Sequence, residues 1–270
     1  MLNCFTFAPE GSAGCQVRAY LQETWKLEGF PVYPLPAIII CPGGGYAYLS
    51  DRAKFPVARE YLGAGYHVFV LTYSVKDHAK NFEPLCQLCA TIAHIRAHSE
   101  EWMVDPEKIA VCGFSAGGHL AASSGTLANT EEFRKIWQGD DNITPNAMVL
   151  GYPVILANEF AHSNSIKNVS GAEVGSDTYR WFSLDRHVTE KTPPTFLWHT
   201  AADEAVSAEN SLYFAAALSG AKVPYELHIL PEGKHGMSTC TNEVGTYHPY
   251  NARWVGWSIA WLNKLFDFAL

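Results

Sequence analysis

Gly113-Phe114-Ser115-Ala116-Gly117-Gly118 is the segment of this 270-residue sequence whose residue types and spacing most plainly suit chemistry. A serine in the pattern G-x-S-x-G marks a sharp strand-to-helix turn that lifts its hydroxyl above the edge of a sheet. Both flanks fit that turn. Lys108-Ile109-Ala110-Val111-Cys112 before it reads as a strand, and His119-Leu120-Ala121-Ala122 after it reads as a helix. A side chain at 113 or 117 would collide with neighbouring backbone in so tight a turn. The helix N-terminus behind Ser115 would favour negative charge developing beside it.

A nucleophilic serine needs a base, an acid that orients the base, and donors for an oxyanion. After a turn of this kind the acid and then the histidine follow at the ends of later strands. Eleven histidines compete for the base. His67, His78, His94 and His98 precede Ser115, and His119, one turn along its helix, suits a supporting role. His199 and His228 fall inside strands, His162 and His187 in a polar stretch, and His248 just before the last helix. His235 stands apart, in the loop Pro231-Glu232-Gly233-Lys234-His235-Gly236-Met237 directly after the last strand. Flanking glycines let that loop swing an imidazole across the sheet edge.

For the acid, Asp203 and Glu204 both follow the strand Thr195 to Thr200. Asp203 is favoured, because its shorter side chain holds an imidazole more rigidly, whereas Glu204 suits the start of the next helix. The oxyanion donors are expected in Cys41-Pro42-Gly43-Gly44-Gly45-Tyr46, from the amides of Gly44 and Gly45, joined by the amide of Ala116. A phosphate-binding loop is excluded there, since neither G-x-x-x-x-G-K-[ST] nor G-x-G-x-x-G is present. Tyr46 and Tyr48, just beyond these glycines, are expected to line an acyl pocket.

These loops must hang on a sheet. Ala37 to Cys41, His67 to Leu71, Lys108 to Cys112, Ala147 to Leu150 and Thr195 to His199 are apolar on both faces, and Tyr225 to Leu230 alternates. Between them lie helical patterns at Lys54 to Gly63, Leu85 to Glu101, from Ser115 onward, Val206 to Gly220 and Tyr250 to Phe268. Such alternation predicts an α/β fold with a mostly parallel sheet covered by helices on both faces. Val17 to Leu27 could add antiparallel edge strands. Tyr152 to Pro194 is polar with weak periodicity and reads as a small cap-like insertion (152–194) within a single domain spanning 1–270. In it Tyr179, Trp181 and Phe182 could stack on a sugar, Trp181 above all, or could simply pack the insertion.

Composition limits the rest. With 48% hydrophobic and 17% charged residues the chain can bury a core, which excludes global disorder. Its net charge of −8 and lack of basic runs speak against nucleic acid. No apolar run approaches the ~20 residues of a membrane span. Seven cysteines without a framework spacing, and a start without a signal-peptide pattern, suggest a cytoplasmic protein with free thiols. Cys86 and Cys89, three apart in a helix, read as packing rather than a metal or redox site. Trp254, Trp257 and Trp261 recur at helical spacing and read as core.

In this order the motifs Ile38-Ile39-Ile40-Cys41-Pro42-Gly43-Gly44-Gly45-Tyr46, Gly113 to Gly118, Asp203 with Val206, and His235-Gly236 resemble the α/β-hydrolase esterases. They are most similar to the bacterial acetyl-esterase, acetylxylan-esterase and feruloyl-esterase-like group, and the match runs roughly from Pro36 to Leu265. The resemblance implies an α/β-hydrolase fold, a Ser115–His235–Asp203 triad, no cofactor, and hydrolysis of short-chain acyl esters, often on sugars. Two departures stand out. Pro42 occupies the position of the histidine in the His-Gly-Gly-Gly of related lipase-like enzymes, and Ser207 follows Val206 where many relatives carry proline.

The expected partner is a small-molecule ester, and the chain could form a homodimer. A peptidase of the dipeptidyl or acylaminoacyl type shares such a domain but usually adds a large N-terminal one, for which 270 residues leave no room. A lipase-type hydrolase and a catalytically inactive binding protein of this fold are the other readings.

Overall fold

The computed structural model describes residues 3–23 and 32–269. The chain runs β1 (Asn3–Phe7), β2 (Gln16–Leu21), β3 (Leu35–Cys41), α1 (Phe55–Gly63), β4 (His67–Thr72), α2 (Glu83–Ala97), α3 (Ser99–Trp102) and β5 (Val104–Phe114). It continues with α4 (Ala116–Gly125), α5 (Glu131–Arg134), β6 (Ala147–Gly151), α6 (Ser163–Ser170), α7 (Asp177–Trp181) and β7 (Thr195–Thr200). It closes with α8 (Glu209–Gly220), β8 (Tyr225–Leu230) and α9 (Pro249–Phe266).

The eight strands of the described residues form one sheet in the order β1-β2-β4-β3-β5-β6-β7-β8. β2 pairs antiparallel with β1 and β4, and every other neighbouring pair is parallel. Strand alternation divides the core into two layers. Ile39, Val111, Leu150 and Leu197 pack with Leu88 of α2, Leu120 of α4 and Phe214 of α8. On the other face Ile38, Ile40, Cys112 and Val149 pack with Tyr61 of α1 and Trp254 of α9. Ile38, Ile39 and Ile40 have no exposed surface, and each such side chain contributes about 1.5–3 kcal/mol of apolar burial. Trp198 stacks on Trp254 at 4.9 Å, tying β7 to the last helix.

Four elements depart from the sequence expectation. The long helix expected over 85–101 breaks at His98 into α2 and α3. The turn expected at Asp105-Pro106 is strand instead: Val104 pairs with Leu35, and a register shift between Leu35 and Ala37 absorbs the irregularity. α8 starts at Glu209 rather than Val206, because Asp203 Oδ1 accepts from the amides of Ala205 and Val206, both at 3.0 Å, and holds them in a turn. At the N-terminal edge, β1 adds a strand that was not expected, and the part of the expected edge strand beyond Glu23 lies outside the described residues. Among the described residues no helix is long and apolar enough to cross a membrane.

Candidate active site

β3, β5, β7 and β8 lie in the parallel part of the sheet, so their C-terminal ends share one edge, and the loops leaving them carry the residues of interest. Ser115 is the pivot between β5 and α4, with φ 54° and ψ −121°. This conformation is costly for a residue with a side chain, of the order of 1–3 kcal/mol, and persists only where its surroundings enforce it. They do so here: Ser115 N–H donates to Gly151 O at 3.1 Å, and Ser115 O accepts from Val154 N at 3.0 Å and from His119 N at 3.1 Å. The glycines around the pivot fit the steric expectation. A Cβ on Gly113 would strike the Gly117 carbonyl and come within 2.7 Å of Ala121 Cβ, and one on Gly117 would strike the carbonyls of Cys41 and Pro42.

His235 reaches back to the pivot. Its Nε2 lies 2.8 Å from Ser115 Oγ, and its Nδ1 lies 2.7 Å from Asp203 Oδ2. A carboxylate only accepts, so Nδ1–H donates to Asp203 and Nε2 is left to accept from the serine hydroxyl. Tyr152, at the end of β6, packs edge-on against the imidazole with ring centroids 5.0 Å apart, and its hydroxyl accepts from Ser238 N at 2.9 Å. Thr200 Oγ1 and Asn251 Nδ2 donate to the carbonyls of Gly233 and Glu232, fastening the loop from below.

Of the two neighbouring acids, Asp203 meets His235, and Glu204 is exposed. Burial pushes the Asp203 carboxyl up, but hydrogen bonds from His199 and His235, the charge of His235 and the Val206 amide outweigh it and hold the group well below the usual carboxylate range. His199 is fully buried; its Nε2–H donates to Val206 O at 2.9 Å and lies 3.4 Å from Asp203 Oδ2.

The glycine loop after β3 is pinned through its carbonyls. Gly43 O accepts from Ser50 N, Gly44 O from Ala47 N, and Gly45 O from Asn168 Nδ2 of α6 at 2.8 Å. No protein acceptor takes the Gly44 or Gly45 amide among the described residues, and the Ala116 amide opens α4, where first-turn amides have no intrahelical partner. Gly44, Gly45, Ser115 and His235 line one cleft of about 400 Å³, a size suited to a small ligand. Tyr48, 63% exposed, stands at its mouth.

Two expected substrate contacts are placed elsewhere. Tyr46 does not line the cleft: it is buried, and its hydroxyl donates to His119 Nδ1 at 3.0 Å. A buried phenol needs a partner, and His119 supplies it while its own Nε2–H donates to Phe182 O at 3.1 Å. Burial holds His119 down to about 4, with the Phe182 carbonyl partly opposing, so the ring is neutral near pH 7. Trp181 also stands away from the cleft. It packs edge-on against Phe82 at 5.4 Å and Phe182 at 5.3 Å, and Tyr179 is buried, so the insertion's aromatic residues hold it together. Sequence reasoning passed over His162, Asn164, Asn168 and Arg52, which complete the cleft wall.

Tyr46→Phe tests the buried link. It would leave His119 Nδ1 without a donor, at a cost of about 1–3 kcal/mol. Urea denaturation should show the loss, and an unchanged midpoint would contradict the bond.

A larger open groove of about 740 Å³ runs along α2. The Cys86 thiol on its lining is pushed up to about 11, chiefly by burial, and stays protonated near neutral pH. Cys89, one turn on, is fully buried, and both thiols are free. Among the described residues no group of three or more His, Cys, Asp or Glu could hold a metal ion.

Comparison with known proteins bears on this arrangement. The chain is 31% identical over 212 residues to endo-1,4-beta-xylanase B of Butyrivibrio fibrisolvens, covering 76% of this chain and 33% of that protein. It is 28% identical to an acetylxylan esterase of Xylanibacter ruminicola, covering 80% of this chain and 42% of the other. The chain thus spans less than half the length of these two curated relatives. Its structure superposes on an acetyl ester-xyloside bifunctional hydrolase from Caldicellulosiruptor lactoaceticus with a TM-score of 0.81 and 34% identity, covering 98% of this chain and 92% of that one. The BD-FAE family matches residues 31–218, a span that includes the glycine loop, the Ser115 pivot and Asp203. With its sheet, its serine turn and a family match over most of its length, the chain belongs to the BD-FAE family, within the α/β-hydrolase superfamily of esterases and lipases.

Proposed function

We propose that this chain is a serine carboxylic-ester hydrolase that removes short acyl groups, acetyl above all, from sugars or oligosaccharides. The observation that carries the reading is the hydrogen-bonded path from Ser115 Oγ through His235 to Asp203, at 2.8 and 2.7 Å. Ser115 Oγ attacks the ester carbonyl as His235 Nε2 takes its proton, and Asp203 stabilises the imidazolium. The amides of Gly44, Gly45 and Ala116 receive the oxyanion, and losing one such donor costs about 3–4 kcal/mol of transition-state stabilisation. His235 then returns the proton to the departing alcohol. Water, deprotonated by the same imidazole, attacks the acyl-enzyme and frees Ser115. The cycle as written requires no cofactor, and the 270 residues are read as one catalytic domain with 152–194 as a small cap-like insertion.

Two observations support the substrate class. The relatives include proteins named for acetylxylan and for acetyl ester-xyloside hydrolysis. The cleft lining also includes the polar side chains of His162, Asn164, Asn168 and Arg52. A fluorophosphonate probe should label Ser115, and absence of labelling would favour a binding protein of this fold instead. A panel of p-nitrophenyl esters from acetyl to octanoyl, followed by acetylated xylo-oligosaccharides, tests the substrate. Activity should fall with chain length, and a preference for octanoyl would overturn the short-acyl assignment.

A further inference from the structure

The stretch between β6 and β7 sends an imidazole into the cleft that the cycle above does not use. His162 is the N-cap of α6: its Nδ1 accepts from Ser165 Oγ at 2.8 Å and from Ser165 N at 3.4 Å. A neutral imidazole has one acceptor and one donor nitrogen. Using Nδ1 as the acceptor therefore places the proton on Nε2. Among the described residues Nε2 has no protein partner, and the ring lines the same cleft as Ser115 and His235. It stands beside the glycine loop, its Cε1 4.0 Å from where a Cβ on Gly45 would lie.

We propose that His162 is a substrate-binding residue whose Nε2–H donates a hydrogen bond to the alcohol portion of the ester, and that it selects alcohols rich in hydroxyl groups. Capping α6 is what orients the donor, so helix and recognition are built from one side chain. Burial, reinforced by the charge of His235, lowers its pKa, which keeps the ring neutral and the tautomer single near pH 7. Asn168 adds an acceptor on the same wall: its Nδ2 is committed to Gly45 O, leaving Oδ1 for a substrate hydroxyl. Arg52 adds a cationic donor to the rim of the cleft. A sugar can use donors and acceptors together, whereas the p-nitrophenyl group of a simple acetate ester has no hydroxyl to offer them.

The inference rests on the sugar-ester reading above, and two substitutions separate the cap from the donor. His162→Asn keeps an excellent N-cap acceptor but lacks an atom at the Nε2 position. His162→Gln places an amide N–H where Nε2–H stands. In His162→Asn, kcat/KM on acetylated xylo-oligosaccharide should fall about tenfold, chiefly through KM, as expected for one neutral hydrogen bond. On p-nitrophenyl acetate the loss should be clearly smaller, and His162→Gln should recover part of the sugar-ester activity. Equal losses on both substrates would overturn the inference, since the ring would then merely support the loop, and no loss on either would do the same. A wild-type protein that cleaves p-nitrophenyl acetate but not the oligosaccharide would sink the substrate reading and the inference with it. An active wild type beside an unaffected His162→Asn would sink the inference alone.

Discussion

Ser115→Ala is expected to reduce turnover of p-nitrophenyl acetate by about 10⁴-fold or more, and to abolish the burst of p-nitrophenol. The magnitude follows from the geometry. Ser115 Oγ is the atom that His235 Nε2 meets at 2.8 Å, and among the described residues no other hydroxyl is hydrogen-bonded to that nitrogen. Losing the nucleophile removes the acyl-enzyme route altogether and leaves only what the oxyanion donors and binding contribute over water. Alanine can occupy the pivot, because the hydrogen bonds that enforce φ 54° come from the backbone at Gly151, Val154 and His119. Circular dichroism should therefore match wild type, and a burst surviving undiminished would refute the assignment of Ser115.

Asp203→Asn should lower kcat by about 10⁴ at pH 7, with a different physical origin. The amide nitrogen of asparagine can donate to His235 Nδ1, which forces the imidazole proton onto Nε2, where it faces Ser115 and cannot accept. The nucleophile then stands next to a base in the wrong tautomer. The same substitution has a signature in stability. The Asp203 carboxyl is held well below the usual range in the folded chain, against about 3.9 when unfolded. Its ionisation thus contributes stability that is fully present above about pH 4 and is lost as pH falls toward the lower folded value. The gap in Tm between wild type and Asp203→Asn should therefore shift against the wild type as pH falls below about pH 4. A gap that stayed the same below about pH 4 would mean that another group sets the acid response.

Much of this site can be read from the chain because its parts are local. Gly113 to Gly118 is a contiguous steric problem, and the glycine loop, Asp203 and His235 each follow a strand whose apolar run is visible without a structure. Strands covered on both faces announce themselves. β1 did not, because Asn3, Cys4 and Thr6 carry little apolar signal and the strand exists through pairing with β2. Asp105-Pro106 has turn chemistry locally, yet pairing across to Leu35 overrides it. Tyr46 was misplaced for a related reason. Its sequence position beside the oxyanion glycines says nothing of His119, 73 residues away, which takes its hydroxyl inward. His162 stands 47 positions beyond Ser115. The one local sign was its place before Ser163-Asn164-Ser165, a capping pattern that identifies a helix start but not the cleft it faces.

The buried His119 link has a bearing on how relatives with different insertions can arise. One imidazole joins the glycine loop through Tyr46 and the chain between β6 and β7 through Phe182, from a seat on the nucleophile's own helix. The bond to Phe182 is made to a backbone carbonyl, so it constrains where the chain passes and not which residue stands there. That bond therefore leaves the residue type at this one point open while fixing where the backbone runs. A graft from a homologue should be accepted when it returns a carbonyl to that point and an amide donor for Gly45 O. One that misses it would leave a polar ring uncompensated beneath the nucleophile, and the damage would surface at the glycine loop on the far side of the same histidine.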